Sequence, residues 1–403
     1  MNQEEQEITE TPPAESATAT QLVVITQLRR QLADLMHVDA HTVKKPPGEI
    51  ISFQGQIHGD TEVAFERISE RFATLGYTAM LQDRPGGGHE VIAVKGEFNR
   101  KAGQVWVNAV LFLVTLLSVL YISAINELDS NMVEGLTSLD ILILPLTQPR
   151  LLWKGLPFAG TLMSILLTHE LSHYFVARKY GSPVSPPYFI PFPNLFGTMG
   201  AVIVQRAPMR SRKALLDIGI AGPLGGLIVA VPLLVLGLML SDVHPPPADV
   251  DVVLQEGNSL LYLGIKYLIF GRVLPSNGED VWLHPIAFAA WAGLWLTMMN
   301  LVPVGQLDGG HASYALLGRR AQFLGYVAIV AMIVWGSWLM MSGNNAGGIW
   351  MMWGFLNMFL NPRHPPPLND ATRLNWRRIV MGLFVLVIFI LLFMPAPLQQ
   401  VQL

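Results

Sequence analysis

Two hydrophobic periodicities divide the chain. From Gln21 to Met36 apolar residues recur at helical spacing, which predicts a short amphipathic helix followed by a linker over residues 21–48. Ile50 to Ile57 then alternates as a strand does, and Asp60 opens a helical stretch through Phe72. Val63, Phe65, Ile68 and Phe72 lie close to one face of that helix. Tyr77 to Gln82 reads as a second strand, Pro85-Gly86-Gly87-Gly88 as a turn, and Glu90 to Lys95 as a third strand. This order predicts a small α+β domain over residues 49–100. A folding or docking module is the plain reading of it, and a regulatory module the alternative.

Beyond Arg100 the pattern changes to long apolar runs. A spanning helix needs about 20 apolar residues. Seven segments qualify, near 105–124, 157–179, 214–240, 283–305, 321–341, 346–360 and 379–394, the sixth being short. Two more apolar stretches, Ile141–Trp153 and Leu260–Leu274, are interrupted by Pro or by Lys and Arg and read as interfacial or re-entrant. The expected fold is an α-helical polytopic membrane protein of about seven spans over residues 101–403, with the small soluble α+β domain before it.

Composition agrees with that pattern. Hydrophobic residues make up 51% of the chain and charged residues 14%, against about 25% charged in a soluble protein. The formal net charge of -3 gives no basic surplus for nucleic acid. Cysteine is absent, which excludes disulfides, thiol nucleophiles and thiolate metal sites. Residues 1–20 are acidic and rich in Thr, Ala and Pro, without a basic stretch leading into an apolar core. They read as a disordered tail rather than a signal or transit peptide, and point to a bacterial rather than a plastid protein.

Loop charges orient the spans. Arg100 and Lys101 precede the first. Residues 125–140 then carry Glu127, Asp129, Glu134 and Asp140 without a base. The end of the second span and the loop after it hold Arg178, Lys179, Arg206, Arg210, Arg212 and Lys213, whereas residues 241–257 carry Asp242, Asp249, Asp251 and Glu256. Arg319 and Arg320 precede the fifth span, and Arg363, Arg373, Arg377 and Arg378 precede the seventh. By the positive-inside rule the basic loops and the N-terminus are cytoplasmic.

The second span contains His169-Glu170-Leu171-Ser172-His173. Positions i and i+4 share a helix face, so both imidazoles can grip one metal ion. Glu170 beside them can take a proton from water activated by that metal. Ionisable groups at membrane depth are costly and mark function, although the plain reading is a few polar residues on a helix face. Catalytic zinc usually takes three protein ligands and an open position. Asp308 offers the third, at the end of the fourth span in Asn300-Leu301-Val302-Pro303-Val304-Gly305-Gln306-Leu307-Asp308-Gly309-Gly310. Pro303 and Gly305 would unwind that end. The orientation places Asp308 near the membrane face of His169 and His173. On topology alone a plain helix-end aspartate stays open as a reading. So does Asn300 as an amide that binds another helix.

These two motifs resemble the signatures of the site-2 protease family of intramembrane zinc metalloproteases. The family's late motif has the form N-x-x-P-x-x-x-x-D-G, matched here by Asn300, Pro303, Asp308 and Gly309. The resemblance covers about residues 157–320. It implies one zinc ion held by His169, His173 and Asp308, Glu170 as catalytic base, and Asn300 at the substrate carbonyl or developing oxyanion. The soluble N-terminal block and the extra spans look like the EGY-type branch. That branch usually carries Gly-Asn-Leu-Arg before its first spans; the nearest stretch here is Gly96-Glu97-Phe98-Asn99-Arg100.

The implied reaction is peptide-bond hydrolysis in a membrane-protein substrate, a single-span protein being the expected class, at a site toward the cytoplasmic face of a bacterial inner membrane. Pro186-Pro187-Tyr188-Phe189-Ile190-Pro191-Phe192-Pro193 cannot be a regular helix, and it runs into strand-prone Gly197–Val204. An unwound substrate could add there as a strand. A membrane-surface loop without substrate contact is the alternative. Gly219, Gly222, Gly225 and Gly226 suit close helix packing and need no catalytic role. Two rival functions are a silent membrane scaffold and a metal or proton transporter. An intact Glu170 speaks against the first, and the gathering of ionisable residues at one face against the second.

Overall fold

The computed structural model describes residues 19–44, 50–84, 86–96, 98, 104–128, 130–133, 135–246, 252–360 and 362–402. Most of the expected acidic tail lies outside these residues. So do the stretch at 45–49, Pro85, Arg100, Lys101, Asp129, Glu134, Asp249 and Asp251. The chain forms two compact units, residues 1–97 and 98–403.

The first unit contains α1 (Ala19–Leu32), β1 (Met36–Lys44), β2 (Ile50–Ile57), α2 (Thr61–Thr74), β3 (Tyr77–Asp83) and β4 (His89–Lys95). The strands form one antiparallel sheet in the order β1-β2-β4-β3. Asp60 caps α2 by accepting hydrogen bonds from the backbone N–H groups of Glu62 and Val63. Phe65, Ile68 and Phe72 are buried with Leu28, Leu32, Ile51, Phe53, Leu81 and Val91. Val63, expected on that face, is exposed. The linker expected after the first helix contains strand β1 instead. β1 is an edge strand whose side chains are mostly exposed, so it lacks the alternation that marks a half-buried strand.

The second unit is helical. It contains α3 (Val105–Asn126), α4 (Ser130–Val133), α5 (Ser138–Thr147), α6 (Leu152–Lys179), a hairpin of β5 (Tyr188–Pro191) and β6 (Thr198–Val202), and α7 (Arg212–Met239). Next come β7 (Asp242–His244), β8 (Val252–Glu256), α8 (Leu260–Phe270), β9 (Asp280–Trp282) and α9 (Pro285–Asn300). The chain ends with α10 (Asp308–Leu317), α11 (Ala321–Met341), α12 (Gly347–Phe359), α13 (Trp376–Leu392) and β10 (Leu398–Gln402). A short 3-10 turn over Gly318–Arg320 joins α10 to α11.

Helices stand at all seven expected positions, but the count of seven spans is not established. Among the described residues four helical stretches are long and apolar enough to cross a membrane: Val105–Asn126, Pro149–Lys179, Arg212–Met239 and Asp308–Met341. α9, α12 and α13 have 16, 13 and 17 residues, short of the roughly 20 that a perpendicular span needs. The two interrupted apolar stretches appear as the short apolar helices α5 and α8. Two strand pairings were not expected. β10 pairs with β8, and β7 with β9.

α6, α7 and α9 form the centre of this unit, with Leu162, Ile165, Leu215, Ile218, Leu234, Trp291 and Leu294 buried among them. The β5–β6 hairpin is tied to α3. The Asn108 amide donates to the carbonyls of Pro186 and Pro187 at 2.8 and 2.9 Å. The backbone of Gly197, at φ 75°, sits so close to Val119 that a Cβ there would stand 2.6 Å from the Val119 Cα.

In the first unit the Arg71 guanidinium grips the Asp34 carboxylate at 2.5 and 2.9 Å. That hydrogen-bonded pairing holds the Asp34 pKa down from 3.8 to about 2. A depressed carboxyl stabilises the fold above its unfolded pKa, and the contribution is lost as pH falls through its folded value. The window here runs from 3.8 down to about 2. Arg71→Leu is expected to return Asp34 toward 3.8 in a carbon-13 NMR titration. An unmoved Asp34 titration would contradict the pairing.

Candidate metal centre

His169 and His173 project from α6 with both rings buried. Asp308 is not at the end of the preceding helix, as expected, but opens the next one. α9 stops at Asn300, and residues 301–307 turn the chain before α10 begins at Asp308. Gly309 and Gly310 allow that turn to close. A Cβ on Gly309 would overlap the Leu301 carbonyl, and one on Gly310 the Gly305 carbonyl.

The turn delivers the Asp308 carboxylate between the two imidazoles. His169 Nε2 lies 3.2 Å from Asp308 Oδ2, and His173 Nε2 lies 3.2 Å from Oδ1. The two Nε2 atoms are themselves 3.2 Å apart. Three donors held about 2.0–2.1 Å from one tetrahedral ion stand about 3.3 Å from each other, so the triangle fits a single zinc-sized cation. The tautomer fits as well. His173 Nδ1–H donates to the Ile218 carbonyl at 2.7 Å, which leaves Nε2 with its lone pair in the neutral ring. A lone pair facing a carboxylate oxygen is repulsive unless a cation stands between them. Among the described residues His169, His173 and Asp308 form the group able to hold a metal.

The glycines of α7 do more than the general helix packing that their spacing predicts. They pack directly on the α6 side chains at and beside the candidate metal group. A Cβ on Gly222 would overlap the His173 ring, and one on Gly225 the Ser172 hydroxyl. A Cβ on Gly226 would stand 3.3 Å from His169 Nδ1. Their spacing was visible in the sequence, but which side chains they faced was not.

His169, His173 and Asp308 line a cavity of about 430 Å³ together with Glu170 and Asn300. All five residues singled out from the sequence therefore meet in one place. Ala201 to Gln205, at and beyond the end of β6, form one wall. Another wall is a strap from His364 to Pro367, in the basic loop before the last helix, where no local sequence pattern signals a role at the site. The strap is fastened near its end. Leu368 and Asn369 donate backbone hydrogen bonds to Met209 and Arg210 at 2.8 and 3.0 Å. Asp370 accepts from Arg212 at 2.8 Å and from the Tyr314 hydroxyl at 3.2 Å.

A membrane-type helical unit with a buried His–His–Asp group is thus the class of protein that fold and site define. Residues 157–341 match the model of peptidase family M50. The probable zinc metalloprotease EGY1, chloroplastic, of Arabidopsis thaliana is 28% identical over 380 residues, covering 86% of this chain and 66% of the relative. The probable zinc metalloprotease EGY2, chloroplastic, of the same plant is 27% identical over 369 residues, covering 88% of this chain and 62% of the relative. EGY1, chloroplastic, of Oryza sativa subsp. japonica is 28% identical over 381 residues, covering 85% and 62%. No solved structure matches the chain. The chain contains a peptidase family M50 (site-2 protease) domain and is homologous to the EGY-type zinc metalloproteases. It spans less than about two thirds of the length of these relatives. Their chloroplast location does not fit the bacterial membrane expected from the acidic N-terminal segment, and does not exclude it.

Gly222→Ala is expected to weaken metal binding about 10–100-fold by displacing the His173 ring. Gly160→Ala on α6, where a Cβ meets nothing within 4 Å, should leave it unchanged. Equal metal content in both variants after dialysis, measured by mass spectrometry, would count against this packing role.

Proposed function

We propose that the protein is an intramembrane zinc metalloprotease that hydrolyses peptide bonds of membrane-spanning substrates, with one zinc ion held by His169, His173 and Asp308. The observation that carries this reading is one cavity containing a metal-binding group, a carboxylate and an amide. A scaffold has no use for Glu170 beside such a group.

The chemistry supplied by bound zinc is polarisation of the scissile carbonyl and acidification of water. Glu170, next to His169 on α6, takes the proton from the attacking water and delivers it to the leaving amine. Asn300 at the end of α9 donates its amide N–H to the carbonyl oxygen as negative charge grows there. The substrate must lose its helical hydrogen bonds before it can be cut. Among the described residues β6 pairs with β5 alone in a two-stranded sheet, which leaves an edge for an unwound substrate to join as a third strand. Its backbone then stays satisfied beside the membrane.

The loop charges support a cytoplasmic position for this end of the helices, since Arg178, Lys179, Arg206, Arg210 and Arg212 lie near the site in sequence. In this reading the N-terminus and residues 49–100 are cytoplasmic, the chain sits in a bacterial inner membrane, and the substrate is a single-span protein.

Purified wild type and Glu170→Gln should be compared on a panel of tagged single-span proteins, with bound zinc measured in both. Glu170→Gln is expected to keep its zinc and lose at least about 10²–10⁴ in rate. Asn300→Ala should keep zinc and lose about 10²–10³, and Asp308→Asn should lose the metal. Equal cleavage by wild type and Glu170→Gln would sink the mechanism.

A further inference from the structure

The cavity holds a pair of histidines that this chemistry does not use. His311 lies one turn beyond Asp308 on α10, His364 lies on the strap, and both line the cavity. Their rings meet nearly edge to face, at 81° with centroids 4.9 Å apart. His311 Nδ1 stands 2.7 Å from His364 Nε2. His364 Nδ1 stands 2.6 Å from the Pro365 carbonyl oxygen.

These contacts assign the hydrogens. A carbonyl only accepts, so His364 Nδ1 carries a hydrogen. Burial pushes the His364 pKa down to about 4, which keeps the ring neutral and its Nε2 bare. The contact at 2.7 Å then takes its hydrogen from His311 Nδ1. In a neutral imidazole that leaves His311 Nε2 as a lone pair, without a hydrogen-bond partner among the described residues. His311 is not a member of the metal-binding group.

Both rings are held in place. The Tyr314 ring lies against His364 with centroids 4.7 Å apart, and its hydroxyl is tied to Asp370. Gly219 leaves room for His311, since a Cβ there would stand 2.6 Å from the His311 Cβ. A peptide entering the cavity brings backbone N–H groups that lose water and need acceptors.

We propose that His311, fixed in orientation and tautomer by His364, accepts a hydrogen bond from a backbone N–H of the peptide bound in the cavity. The identity of the ligand as a peptide rests on the proteolytic reading above. His364 acts through His311 and is a positioning residue.

The test measures affinity rather than turnover. A fluorescein-labelled single-span peptide of about 25 residues, with a central Asn-Pro pair to loosen its helix, is titrated onto the zinc-loaded full chain carrying Glu170→Gln. Adding His311→Leu should weaken binding about tenfold. His364→Leu should cost a similar factor, and the double variant no more than either single one. His364→Gln, whose side-chain carbonyl can accept from His311 Nδ1–H, should restore most of the affinity. Zinc content should be unchanged throughout. In the two-bond proton–nitrogen NMR spectrum of nitrogen-15 histidine-labelled protein, His311 should be protonated at Nδ1. Protonation at Nε2, unchanged affinity in His311→Leu, or losses that multiply in the double variant would each overturn the proposal. Histidine-dependent binding without cleavage by the wild type would remove the proteolytic reading and leave this one standing. Cleavage with histidine-independent binding would do the reverse, and a peptide that does not bind at all counts against both.

Discussion

The close approach of α7 to α6 is the constraint on which the site depends. Two imidazoles and a carboxylate sit among apolar helices, where polar groups without partners are costly. The glycines at 222 and 225 remove the Cβ atoms that would collide with His173 and Ser172. The α7 backbone can then reach the His173 ring, and the Ile218 carbonyl takes its Nδ1 hydrogen. One steric allowance thus sets both the position of the ring and the nitrogen that faces the metal site.

The Asp308 carboxylate arrives by a different route. The turn between α9 and α10 is tight enough that Gly309 and Gly310 pack on the carbonyls of residues 301 and 305. Asn300 and Asp308 bracket that turn, so one piece of backbone geometry places both an amide and a carboxylate at the cavity. Placing them on a turn rather than deep in a span lets water reach them without exposing unpaired backbone to lipid. The strap at residues 364–367 closes another side of the cavity, and the ties just beyond it reach 158 positions back to Arg212 and 56 back to Tyr314.

The metal-binding half of the site was legible because helix periodicity is local. His169 and His173 share a face whatever the rest of the fold does. Asp308 was legible as a candidate because few other acids stood near it on that side, although its helix was misplaced. The pattern could not tell the end of one apolar helix from the start of the next across a short turn. β1 was missed because an edge strand exposes both faces. β8 and β10 pair across more than 140 residues, and no local period records that partnership. The count of seven spans is not confirmed because apolar composition does not distinguish a crossing helix from a shorter one such as α12.

By itself, then, the sequence determined the two units, the apolar helical character of the second, and the identity of the chemically able residues His169, Glu170, His173, Asn300 and Asp308. Those properties follow from composition and from periods of two and 3.6 residues, which each segment carries alone. Only the tertiary structure decided that the α7 glycines face the ligands, that Ile218 sets a tautomer, and that His364 meets His311. Those are contacts between elements, and which residues meet depends on packing that no single segment encodes.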